Sequence, residues 1–205
     1  MNATKHGFVL IPDRNTLKEA VALSQKVEQN KLTLDLSLTQ PHLTVLQTVF
    51  KSGFDYRTAL KELRSYAGFA QEPRTILDEV TLQSTSSLEN IIWWKVRNAE
   101  WLKTFNRELV EKLESSIVVP EDAERVSFAT PEAEESYRRT GYERNLNAYE
   151  PHLTIAVTDE TVKAPTTVYT GERVRLHQLA FVEHGEFGEI RKVLATEELP
   201  ISWDW

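Results

Sequence analysis

Apolar residues along this chain follow two periods, and each period predicts one kind of element. Seven stretches dense in apolar and β-branched residues read as strands: Gly7 to Pro12, His42 to Phe50, Arg74 to Ser84, Asn90 to Arg97, His152 to Val157, Arg173 to Glu183 and Glu189 to Thr196. Three others carry apolar residues at helical spacing. Leu17, Ala20, Val21, Ser24 and Val27 form a stripe polar only at Ser24, opened by Thr16 and Glu19 at capping-box spacing. A second helix is predicted from Tyr56 to a stop at Gly68, and a third from Leu102, Phe105, Leu109 and Leu113. A Ser- and Asn-containing turn makes the third and fourth strands an antiparallel pair, and the turn from His184 to Gly188 makes the last two a β-hairpin. From about Val119 to Tyr149 the periodicity fades among charged residues, Pro120, Pro131 and Gly141, which predicts a long irregular connection, functional or mobile.

Two of the strands begin alike. Gln40 to Val45 reads QPHLTV, and Glu150 to Ile155 reads EPHLTI. Side chains alternate faces along a strand, so His42 and Thr44 share one face, with Leu43 and Val45 on the other. In the second copy His152 and Thr154 lie together, opposite Leu153, Ile155 and Val157. Each strand thus pairs a core side with a side offering an imidazole beside a hydroxyl. Were the halves to pack as matching lobes, the two pairs would line one cleft. Such a cleft suits acid-base displacement at phosphorus: a neutral imidazole takes a proton from the attacking oxygen and a protonated one gives a proton to the departing oxygen. Thr44 and Thr154 would then donate to the non-bridging phosphate oxygens, where charge develops. Nothing in the two motifs distinguishes the base from the acid.

Composition narrows the field. A chain of 205 residues with 40% hydrophobic and 27% charged residues suits one folding unit with a real core. The absence of cysteine excludes disulfides, thiolate metal sites and cysteine nucleophiles. No apolar run approaches membrane-spanning length and no signal-peptide pattern opens the chain, so a soluble cytoplasmic protein is expected, with no membrane partner. The net charge of -7 argues against a broad footprint on duplex nucleic acid but leaves room for a small phosphate ligand held by local donors. There is no P-loop, no Gly-rich dinucleotide fingerprint and no Gly-x-Ser-x-Gly elbow. Neither His42 nor His152 has an Asp, Glu or second His nearby at ligand spacing, so no metal site is expected.

Two His-x-Thr strands in a chain of this size resemble the two-histidine (2H) phosphoesterase superfamily, which includes RNA 2',3'-cyclic phosphodiesterases, proteins called 2'-5' RNA ligases, and enzymes that cleave 2'-5' linked oligoadenylates. The resemblance spans most of the chain: opening strand and helix, first motif, irregular tract, second motif and closing hairpin. It implies an α+β fold of two pseudo-symmetric lobes of antiparallel sheet flanked by helices around a central cleft, one domain over residues 1–205. It also implies metal-independent catalysis with no cofactor, His42 and His152 catalytic, and Thr44 and Thr154 on the phosphate. The expected substrate is a nucleotide or short oligonucleotide phosphodiester, 2',3'-cyclic phosphate being the leading case. Cleavage of 2'-5' linked or cyclic oligonucleotide signals, as in some cellular and viral relatives, is the alternative, and a module that binds RNA ends without turnover belongs to another class. The sequence leaves oligomeric state open.

Other residues carry weaker signals. The tract from Tyr137 to Asn145 gathers Arg138, Arg139 and Arg144 just before the second motif; a solvated loop competes with a phosphate-binding one. Arg139, Arg144, Tyr142 and Tyr149 are candidate substrate contacts, the two tyrosines as residues in a polar tract that should see solvent. Phe50, Phe54, Phe181 and Phe187 could stack a nucleobase but suit core packing equally well. Trp93 and Trp94 alternate on a strand, so at least one should be core. His6, His177 and His184 are expected to be non-catalytic. His177 shares a strand face with Arg173 and Arg175, where a solvated outer face competes with a phosphate border.

Overall fold

The structure is a computed structural model that describes residues 4–37, 39–70, 76–84, 90–97, 99–121, 127–159, 162, 165 and 174–199. Among the described residues seven strands form one antiparallel sheet: β1 (His6–Pro12), β2 (Leu43–Thr48), β3 (Ile76–Ser84), β4 (Asn90–Arg97), β5 (His152–Thr158), β6 (Leu176–His184) and β7 (Ile190–Glu198). Their order across the sheet is β3-β4-β5-β2-β1-β6-β7. The two His-x-Thr strands, far apart in sequence, are therefore neighbours at its centre. The closing hairpin does not follow β5; it pairs through β6 with β1 along the whole of that strand. With four α-helices among the described residues beside an antiparallel sheet, the α+β class is borne out.

Helices α2 (Tyr56–Ala70) and α3 (Glu100–Leu113) cover one side. There Leu60, Leu63, Phe105 and Leu109 cluster with Phe8, Leu10, Leu43, Val45, Leu153 and Trp94 in the main core. The alternation of β1 sends Val9 and Ile11 to the opposite side, where they join Leu17 of helix α1 (Arg14–Ser24) together with Ala180, Val182 and Ile190. That second side carries the site.

Several boundaries differ from the sequence reading. Asp13, not Thr16, caps α1: its carboxylate accepts from the backbone N–H groups of Asn15 (2.9 Å) and Thr16 (3.2 Å). Helix α2 runs through Gly68 to Ala70, because a lone glycine weakens a helix without stopping it. The tract read as irregular contains helix α4 (Pro131–Thr140). Its signals are local: Thr130 caps it by accepting from the backbone N–H of Ala133, Pro131 opens the first turn, and Gly141 closes it in the left-handed conformation at φ 67°. The expected strand ends at Arg74 and Arg173 lie outside the described residues, and with Arg173 goes part of the strand face expected to join it to Arg175 and His177. No described helix is long and apolar enough to cross a membrane.

Candidate active site

Each motif histidine is held by the chain just before it. Proline restricts the residue preceding it to extended backbone, and in both copies the carbonyl of that residue turns onto the histidine two positions later. His42 Nδ1 lies 2.8 Å from the Gln40 carbonyl, and His152 Nδ1 lies 2.6 Å from that of Glu150. A carbonyl only accepts, so Nδ1 carries the hydrogen in both rings. In the neutral imidazole Nε2 is then the basic nitrogen.

The strand pairing sets these rings against each other's threonines. β2 and β5 run antiparallel, and their register is fixed by the pair Leu43 and Leu153. One residue to either side of that pair, His42 stands opposite Thr154 and Thr44 opposite His152, all four on the face away from α2 and α3. His42 and His152 are diagonal neighbours, with Cα atoms roughly 8 Å apart from sheet geometry. The charge of His42 is felt at His152, where it is among the groups that hold down the proton affinity of that ring.

Both motif strands carry a bulge immediately after the threonine. On β2, Thr44 pairs with Val9 and Leu46 with Phe8, so Val45 is the extra residue. On β5, Thr154 pairs with Trp93 and Ala156 with Ile92, so Ile155 is the extra one. A bulge shifts the alternation by one residue, which corrects the expected face of Val157: it joins Leu32, Leu34 and Phe187 on the site side, away from Leu153. The same slip turns Gln47 into the cleft. This local correspondence, proline-held histidine, threonine and then bulge, is closer than the sequence repeat alone conveys.

The cleft is lined by Thr44, His152 and Thr154 from the motifs, by Tyr142, Arg144, Asn145 and Tyr149 from the segment before β5, and by Gln47, Ile91 and the turn residues Phe187 and Gly188. His42 is not part of that lining; buried beside the turn, it lies close to the carbonyl of Gly188 and the carboxylate of Glu189. Of the candidate substrate contacts, Arg144 is brought to the cleft and Arg139 is not. Arg139 Nε donates to Glu114 at 3.0 Å, because it lies on a helical face of α4 that the chain has already left at Arg144. Tyr142 is half-buried in the wall. Tyr149 corrects the expectation of solvent exposure: it is 6% exposed, and its hydroxyl donates to the Thr44 backbone carbonyl at 2.8 Å. It braces the first motif from the loop that precedes the second.

Three neighbours had no signal in the sequence. Trp93 stacks on His152, ring centroids 3.8 Å apart and planes within 13°. Buried His184 sits 5.8 Å from the His42 ring and donates through Nδ1 to Gly188. Gln47 reaches the cleft only through the bulge. Burial is the largest influence on all three histidines, since it disfavours the charged ring. It lowers His152 and His184 to about 3, and it lowers His42 against the opposing pull of the Gln40 and Gly188 carbonyls and Glu189. His152 faces cations instead, Arg144 and Lys95 besides His42. Two motifs matched in sequence are thus unmatched in electrostatic setting. Among the described residues no three His, Asp or Glu side chains gather as a metal site would require.

No protein-family model matches this chain, and no curated protein does. Solved structures do. Its fold is shared with a crystal structure of a phosphoesterase (TM-score 0.53, 13% identity, 97% of this chain and 99% of that one). It is shared also with LigT of E. coli, seen with 3'-AMP (TM-score 0.56, 13% identity, 96% and 98%) and with NADP+ (0.53, 11%, 97% and 99%). At that identity the likeness is one of fold over nearly the whole chain.

Proposed function

We propose that this chain is a 2H phosphoesterase, one domain whose two lobes each contribute a His-x-Thr strand, and that it hydrolyses a nucleotide phosphodiester by metal-independent acid-base catalysis. The observation that carries the reading is the antiparallel pairing of Leu43 with Leu153, a register that by strand alternation sets each motif's histidine opposite the other motif's threonine. A phosphoryl group seated between the strands meets a basic nitrogen on each diagonal and a hydroxyl donor beside each. The oxygen of water bonds to phosphorus as one neutral imidazole takes its proton. The bond to the departing ribose oxygen breaks as the other, protonated imidazole supplies a proton there. Thr44, Thr154 and Arg144 take up the charge on the non-bridging oxygens.

Burial leaves both rings neutral at pH 7 in the free cleft. An anionic phosphodiester supplies the charge that lets one of them hold a proton, so substrate binding and proton uptake are coupled. His42, with the Gly188 carbonyl and Glu189 beside it, is the ring better placed to hold that proton; His152, among cations, is the better base. The leading substrate is a 2',3'-cyclic phosphate. LigT, which shares the fold, binds 3'-AMP and NADP+; both carry a phosphate on a secondary ribose hydroxyl, the group that opening a 2',3'-cyclic phosphate leaves. Cytoplasmic RNA-end or nucleotide metabolism is the setting such a substrate suits.

The test is product analysis by liquid chromatography, in EDTA, with 2',3'-cyclic, 2'-5' linked, 3'-5' linked and cyclic oligonucleotide substrates. Wild type should turn over the 2',3'-cyclic pool, while His42→Ala and His152→Ala each lose about 10²- to 10⁴-fold in rate. Preference for 2'-5' linkages would move the substrate assignment. Binding without turnover, or equal rates in all three proteins, would overturn the enzyme reading.

A further inference from the structure

The two motifs alone leave the imidazole of His152 one backbone hydrogen bond, at Nδ1, and a bond at one atom leaves the ring free to swing about it. Trp93 removes that freedom. It sits on β4 opposite Thr154, on the site face, and its indole lies flat against His152 at 3.8 Å. The same indole carries the guanidinium of Arg144, 5.0 Å from its ring centre. Two groups of the cleft therefore lean on one rigid side chain. The indole is 6% exposed, and its Nε1 is buried with no hydrogen-bond partner among the described residues. A phenyl ring would avoid that unsatisfied donor, but its smaller face could not serve both neighbours.

We infer that Trp93 is a positioning residue for the proposed reaction, setting the plane of the His152 imidazole so that Nε2 faces the phosphoryl group and fixing the Arg144 guanidinium beside it. This rests on the acid-base reading of His152. It explains how one of two matched histidines is oriented where the repeat offers no second anchor; its counterpart His42 is confined differently, by the closing hairpin. Misplacement of a catalytic group by about 1 Å can lower the rate on the order of 10²-fold, so the device is worth a measurable factor.

The experiment joins kinetics to nuclear magnetic resonance of the histidine ring protons, with the His152 signals identified by their loss in His152→Ala. In wild type, the indole ring current should displace the His152 protons upfield. In Trp93→Leu they return toward ordinary positions. The charged groups facing His152 are Arg144, Lys95 and His42, and burial outweighs them in holding its proton affinity down. Opening the indole side to water should therefore raise the His152 titration midpoint from about 3 toward the ordinary value. With the 2',3'-cyclic substrate, Trp93→Leu should lower kcat about 10- to 100-fold, more than it raises KM, and Trp93→Phe should recover only part of the loss, since a phenyl ring can support the imidazole but not the guanidinium as well. If Trp93→Leu fails to fold, Trp93→Met, which fills irregular gaps, takes its place. A folded leucine or methionine variant with kcat within about twofold of wild type and an unmoved His152 midpoint overturns the inference. Wild type inactive on every phosphodiester would defeat the proposed function instead, and the resonance arm would still decide whether Trp93 holds His152.

Discussion

Asn106 lies in the apolar stripe of α3, 0% exposed, and its carboxamide ties the first motif strand to the loop before the second. Its Nδ2 donates to the carbonyl of Val45, the bulged residue next to Thr44, and to Asn145 Oδ1 at 3.3 Å; its Oδ1 accepts the backbone N–H of Leu146 at 2.7 Å. Asn145 in turn donates to the Gln47 carbonyl at 3.0 Å and to Thr140 Oγ1 at 2.9 Å. Replacing Asn106 with Leu keeps a side chain of similar volume, so little cavity term enters, and the effect is polar. A buried carbonyl, a buried N–H and the Asn145 amide oxygen lose their partner, each costing on the order of 1 to 3 kcal/mol, partly recovered by relaxation. We expect about 4 kcal/mol of lost stability, near the top of what single substitutions do. For a chain of this length that is a fall of roughly 10 °C in Tm. Urea unfolding followed by tryptophan fluorescence reads it as a lower midpoint at unchanged m. Because the Val45 carbonyl is one residue from Thr44, kcat of the surviving folded protein should fall as well. A loss below about 1 kcal/mol would refute the reasoning, since it would mean that these groups find water or other partners when Asn106 is removed.

Three further predictions follow from single contacts. Arg144→Ala should raise KM for the phosphodiester several-fold while Arg139→Ala leaves kinetics unchanged, because only the first reaches the cleft; steady-state kinetics of both checks it. A methyl group at Gly7 would lie 2.4 Å from both His184 Nε2 and the Leu46 backbone carbonyl, so Gly7→Ala should destabilise by about 3 kcal/mol in urea titration and disturb the ring beside His42. His184 is held neutral when folded, at about 3, so protonation favours the unfolded chain. Its contribution is full above the ordinary histidine range and is lost as pH falls from there toward 3, with a slope of up to about 1.4 kcal/mol per pH unit. His184→Gln should flatten urea stability against pH in that window.

The local pattern of the chain was enough to place the seven strands, three of the helices and the two imidazole-hydroxyl faces. These are properties of neighbours in sequence: strand alternation puts His42 with Thr44 and His152 with Thr154 whatever the rest of the molecule does. Helix α4 was legible too, in Thr130, Pro131 and Gly141, but its charged faces gave no apolar stripe to draw attention to it. Tertiary structure alone decided the rest. That β5 lies beside β2, and the closing hairpin beside β1, depends on pairings between distant segments that leave no periodic mark. A bulge is a slip of one residue against a partner strand, so nothing in HLTV or HLTI announces that Gln47 and Val157 will change faces. Arg139 and Arg144 are equivalent cations in the sequence; the end of α4 at Gly141 sends one to Glu114 and the other to the cleft. Trp93 reads as one more apolar residue on a strand until the register sets it opposite Thr154, where its ring meets an imidazole about sixty residues further along the chain.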